Sequence, residues 1–161
     1  VYDFNNGVSG TMADIRIARL TTVDVARARQ LFATMADVFE TEAGWLSDDY
    51  LTQLLQRPDF WALLATVDGQ VVGGLTAHTL PLTRAEVSEL FIYDLAVVPA
   101  WQRHGIGRRL VTTLCDEAAR LGIPVAFVPA DNEDTHALDF YRAIGGVPTP
   151  VTFFTFGDDN A

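Results

Sequence analysis

Two glycines, Gly105 and Gly107, stand where an apolar run ending near Val98 passes through a short polar loop into a helical pattern. Lacking side chains, they let the backbone N–H groups from Arg103 to Arg108 come close to a ligand. A helix N-terminus adds unpaired donors and partial positive charge. Together these suit a pyrophosphate. The loop lacks the Gly-Lys-Ser/Thr ending of a Walker loop, and its glycine spacing departs from the dinucleotide fingerprint. On the two glycines alone, an ordinary helix start is an equal reading.

The elements that must position this loop follow from periodicity. Alternation over Ile15–Leu20 predicts a first strand. Thr21, Thr22 and Asp24 offer caps for a helix through about Phe39, and Ser47, Asp48 and Asp49 open a second helix to Gln56. Phe60–Val67, Asp68-Gly69 and Gln70–Leu80 read as a hairpin. A long strand spans Val87–Val98, a helix runs from Gly105 to Leu121, and Gly122 stops it. Val125–Val128 is expected to be a short buried strand, Thr135–Ile144 a final helix, and Val151–Phe156 a last strand. The order β-α-α-β-β-β-α-β-α-β predicts an α/β protein with helices on both faces of a sheet. Residues 1–13 are expected to be a flexible segment and 14–161 a single domain, with Met12 a candidate natural start.

Gln102-Arg103-His104-Gly105-Ile106-Gly107 resembles the Gln/Arg-x-x-Gly-x-Gly/Ala signature of GNAT acetyltransferases. Ala137-Leu138-Asp139-Phe140-Tyr141-Arg142-Ala143-Ile144-Gly145 resembles their second signature. The resemblance covers about residues 14–156 and implies a mixed sheet that splays after Val98, acetyl-CoA as cosubstrate, and no metal. It implies pairing of the pantetheine arm with backbone groups of Leu95, Ala96 and Val97, and a pyrophosphate held by the amides from Arg103 to Arg108, with Gln102 in the same motif. Side chains of Arg103 or Arg108 either add charge pairing or form a solvated helix face, and His104 fills a variable slot of the loop. Where the wider superfamily commonly has Asn, seven residues before Tyr141, this chain has Asp134, a helix-capping carboxylate.

Ser88-Glu89-Leu90-Phe91-Ile92-Tyr93-Asp94-Leu95-Ala96-Val97 is similar to a strand of the gentamicin/fortimicin-type aminoglycoside 3-N-acetyltransferases. Ser47–Leu51 and Phe153–Phe156 are consistent with that subgroup. The resemblance implies acetyl transfer to a polycationic antibiotic, conferring resistance; the alternatives are a protein N-terminus, a polyamine or other small amine, or a non-catalytic acyl-CoA-binding module. Such a transfer needs an amine that has lost a proton, a donor to the thioester carbonyl, and a proton for the leaving thiolate. By resemblance Asp94 is the candidate base or ammonium anchor, with Glu89 the alternative base, on the opposite strand face unless a bulge intervenes. Tyr141 is the candidate acid, Tyr93 lines the acceptor cleft, and the N–H of Leu95 or Ala96 polarises the carbonyl. Carboxylates for a polycation are available at Glu40, Glu42, Asp48, Asp49, Asp131, Glu133, Asp134, Asp158 and Asp159.

Composition narrows the partners. With 161 residues, 49% of them apolar, the chain can build one full core. A formal net charge of −10 disfavours nucleic acid and favours cations. No apolar run reaches the ~20 residues that span a bilayer, and the first ten residues lack the pattern of a secretory signal, so the expected place is the cytoplasm. The single cysteine, Cys115, excludes an internal disulfide and reads as a buried structural thiol. His78, His104 and His136 lack a metal-ligand spacing. The resemblance also allows a homodimer.

Overall fold

The computed structural model describes residues 13–157. They form two compact units, which divide between Pro129 and Ala130.

The first unit is a five-stranded sheet: β1 (Ile15–Arg19), β2 (Phe60–Val67), β3 (Gln70–Pro81), β4 (Ser88–Val97) and β5 (Val125–Phe127), lying side by side in that order. The first four pair antiparallel, and β5 runs parallel to β4. The β2–β3 turn takes positive φ at both Asp68 (48°) and Gly69 (83°). That backbone matches the twist of a two-residue hairpin, which is why Asp-Gly occurs there.

Helices cover both faces. Ile106, Leu110, Leu114 and Ala118 recur every fourth residue along α3 (Ile106–Arg120) and bury against Leu63, Leu75, Ala77, Leu90 and Ile92. On the other face, Ala28, Leu31 and Met35 of α1 (Val25–Val38) and Leu51 of α2 (Asp48–Gln56) pack with Ala62, Leu64 and Ala96. Ser47 caps α2 by accepting the Tyr50 N–H at 3.1 Å. Asp24 does not cap α1 with its side chain; its carboxylate instead accepts the N–H and O–H of Thr21. Gly122, at φ 77°, ends α3 as expected.

The second unit contains α4 (Thr135–Ala143), capped by Asp134, whose Oδ1 accepts the Ala137 N–H at 2.9 Å.

Three expectations need correction. Residues 151–156 form no strand; Val151, Phe153, Phe154 and Phe156 are exposed, and no neighbouring strand completes a ladder for them among the described residues. Strand β5 is short but not buried, because Val125 and Phe127 face out from the sheet rim. Cys115 is half-buried, and burial pushes its thiol pKa up, followed by the nearby Asp116 charge. A single-turn helix at Pro99–Trp101, not anticipated, links β4 to the glycine loop. The expected flexible segment falls almost wholly on residues 1–12, outside the described residues.

The close approach of β3 to β4 supplies a test. A Cβ on Gly73 would lie 2.2 Å from the Ala96 carbonyl oxygen, which cannot yield without moving β4. Gly73→Ala is expected to destabilise the protein by about 1–3 kcal/mol, the usual cost of overpacking, as read by urea unfolding.

Candidate functional site

The centre of the site is an irregularity in β4. Thr76 pairs with Asp94 and Ala77 with Ile92, so Tyr93 is an extra residue in the ladder. Before it, Leu90 and Ile92 face α3; after it, Leu95 and Val97 pack on that same side. The bulge therefore reverses the side-chain parity. Asp94 and Ala96 turn toward the α1–α2 face, where Glu89 and Phe91 already point. Glu89 and Asp94, separated by simple alternation, share a face because of the bulge.

Two residues of β3 that sequence reasoning left out of the site complete it. Thr76 is buried and its hydroxyl donates to Asp94 Oδ2 at 3.1 Å. His78, two residues on, stands on the same face. Its ring lies 5.3 Å from Phe60 and 6.0 Å, edge-on, from Tyr93. Tyr93, 64% exposed, in turn meets Phe91 edge-on at 5.7 Å. Burial pushes the Asp94 carboxyl pKa up; the Thr76 hydrogen bond and the charge of His78 pull it back. The signal for these residues was present in the sequence: Thr76 and His78 are polar positions at strand spacing within an apolar run.

The other half of β4 offers backbone. Strand β5 pairs only with Glu89, Leu90 and Phe91, so beyond Phe91 no strand flanks that edge among the described residues. The Val98 N–H bonds to Val72 on β3 at 2.9 Å. By alternation Val97 and Leu95 direct their polar groups to the open edge, while Ala96 faces β3. The Gln102 side-chain amide donates to the Val97 carbonyl at 3.0 Å, fixing the following loop to the strand.

That loop takes left-handed backbone at Arg103 (φ 65°) and Gly105 (φ 78°). Gly105 is the N-cap of α3 and provides no side-chain oxygen. The first turn of α3 thus has no side-chain cap for its amides, and a Cβ placed on Gly105 would meet nothing within 4 Å. His104 Nδ1 sits 2.8 Å from the Gln102 carbonyl and its ring packs near Trp101. This open cradle of donors, with Ile106 buried beneath it, fits an anionic diphosphate.

In the second unit, Tyr141 is half-buried on α4, its ring 5.0 Å from Phe140. Gly146 donates its N–H to the Tyr141 carbonyl at 2.8 Å, and a Cβ there would come within 2.9 Å of that oxygen. Burial, then the Asp134 charge, push the phenol pKa up, so the hydroxyl keeps its proton at neutral pH. Asp131 and Asp134 each accept a local N–H, from Glu133 and Ala137. Glu133 lies in the same loop. Among the other acids proposed for a polycation, Asp48 is paired with Arg29, and Asp158 and Asp159 lie outside the described residues.

The model of the acetyltransferase (GNAT) family matches residues 25–145, so the chain belongs to the GNAT acetyltransferase family. It is similar to the aminoglycoside acetyltransferase meta-AAC0020 from an uncultured soil metagenomic sample, solved in complex with sisomicin. The identity is 33%, with 90% of this chain and 97% of that one covered and a TM-score of 0.86. It is 31% identical over 131 residues to the N-alpha-acetyltransferase RimI of Mycobacterium tuberculosis, covering 81% of this chain and 77% of that protein. A stretch of 134 residues, 81% of this chain, is 32% identical to an uncharacterized protein of Mycobacterium leprae, of whose length it spans only 34%.

Asp94 carries a stability test. Its folded pKa is raised, so its contribution is complete below the unfolded carboxyl range and is lost as pH rises through the folded value. Asp94→Asn is neutral at every pH and still accepts from Thr76. It is expected to melt above the wild type at pH 7–8 and level with it near pH 3, as followed by calorimetry.

Proposed function

We propose that the chain transfers acetyl from acetyl-CoA to an amine of an aminoglycoside antibiotic, at the 3-N position, and so confers resistance to it. The observation that carries the reading is the bulge at Tyr93, which gathers Asp94, Thr76, His78 and Glu89 on one face and leaves the Leu95 and Val97 amides on an open edge. The similarity to an enzyme solved with sisomicin supports the substrate class. The resemblance of Ser88–Val97 to the 3-N subgroup supports the position.

In this reading the chain's own groups divide the task. Amides from Arg103 to Arg108 hold the diphosphate of acetyl-CoA, with Gln102 and His104 keeping the loop in shape. Leu95 and Val97 pair with the pantetheine arm, and Leu95 rather than Ala96 directs its N–H to the thioester carbonyl, because Ala96 faces β3. Asp94 holds the acceptor ammonium, with Tyr93 along the cleft. Asp131, Glu133 and Asp134 are further contacts for a polycation. Tyr141 gives its proton to the departing thiolate; for that role the second signature and its protonated hydroxyl are the support.

Acetylation of a protein N-terminus is the second reading, favoured by the similarity to RimI of Mycobacterium tuberculosis. Thiol release from acetyl-CoA, measured with gentamicin, sisomicin, spermidine and an N-terminal peptide panel, separates the two. Turnover with gentamicin, and NMR of a product acetylated at the 3-amine, are expected. Peptide turnover without aminoglycoside turnover would reject the proposal, and a 6′-acetylated product would reject the position.

A further inference from the structure

Asp94 is the obvious acceptor for the proton the amine must lose, yet an ionised carboxylate is a weak base for an ammonium. The face around it holds a better one. His78 is placed by the register: Thr76 pairs with Asp94, and His78 pairs with Phe60 on β2 and Phe91 on β4. Its ring is wedged between Phe60 and Tyr93, so it is oriented without a hydrogen bond to the backbone.

Two carboxylates feel its charge. Asp59, just before β2, is held low by a hydrogen bond to Arg57 and more weakly by the charge of His78; Asp94 is drawn down by His78 from the other direction. The Asp59 carbonyl also accepts the Thr79 N–H at 2.8 Å, which locks that residue beside His78's strand. Along the two strands beside His78, the ionisable groups are Asp59 with its partner Arg57 at 2.7 Å, just before β2, and Asp94, Tyr93 and Glu89 of β4.

We infer that His78 takes the proton from the acceptor ammonium while Asp94 holds that ammonium in place. The inference rests on the acetyl-transfer reading above. The ammonium gives one proton to a neutral imidazole nitrogen, forming amine and imidazolium. The amine lone pair forms the C–N bond to the acetyl carbonyl carbon. The C–S bond breaks with its electron pair on sulfur. A second proton passes from the newly acylated nitrogen to sulfur, and the imidazolium returns the first to solvent. One proton is released per turnover.

The test is the pH dependence of kcat/KM for the acceptor, with acetyl-CoA affinity measured by calorimetry as the control for folding. Wild type should show a limb rising with pH as the group that takes the proton loses its own. His78→Gln and His78→Asn should each lower kcat/KM by about 10²-fold or more, the usual yield of general base catalysis, and lose that limb. Affinity for acetyl-CoA should stay within a factor of two in at least one of them. A variant that binds acetyl-CoA normally and keeps the rising limb overturns the role of His78, whatever the acceptor. A wild type that acetylates peptides but no aminoglycoside overturns the substrate reading instead, and the profile with the peptide then decides on His78.

Discussion

A single extra residue in the β4 ladder decides which face of the sheet Asp94 occupies. Without Tyr93 as a bulge, alternation would send Asp94 into the apolar layer under α3, among Leu75, Ala77 and Ile92, where a carboxylate has no partner. With it, the strand keeps an apolar side on both halves and still turns Asp94 toward Thr76 and His78. The bulge is held from outside: Ile92 before it and Leu95 after it pack with the α3 core, and the pairing to β3 resumes on either flank. A local defect in hydrogen bonding is thereby fixed by two patches of buried apolar surface.

The same strand divides its backbone. Its first half is flanked on both sides, by β3 and by β5. Among the described residues its second half pairs with β3 alone, and that edge runs directly to the single turn at Pro99–Trp101 and the loop that starts α3. Open strand edges and uncapped helix ends are both costly to leave without partners. Here they are consecutive, and in the proposed reading acetyl-CoA, with its peptide-like arm and its diphosphate, answers both. Gln102, reaching back to Val97, sets the angle between the two.

Much of this was legible from residue order. The β2 run Phe60–Val67 and the α2 run to Gln56 have the bounds that an apolar run closed by Asp-Gly and a Ser47 cap give them, because both signals are local. The glycine loop was legible for the same reason. The bulge was less so, though its trace is there: the apolar set shifts from Leu90 and Ile92 to Leu95 and Val97 across a polar pair. Thr76 and His78 could not be assigned, since their meaning depends on which β4 residue stands opposite. The strand expected over 151–156 failed because composition reports strand propensity, whereas a strand also requires a neighbour.

The most direct measurement is amide hydrogen exchange along β4, resolved by NMR, with and without CoA. The amides of Leu95 and Val97 should become protected when CoA is added, while Ala96 and Val98, which already face β3, should change little. Unaltered exchange at Leu95 and Val97 in saturated protein, or protection confined to Ala96, would contradict the proposed division of β4 between an acceptor face and an open cosubstrate edge.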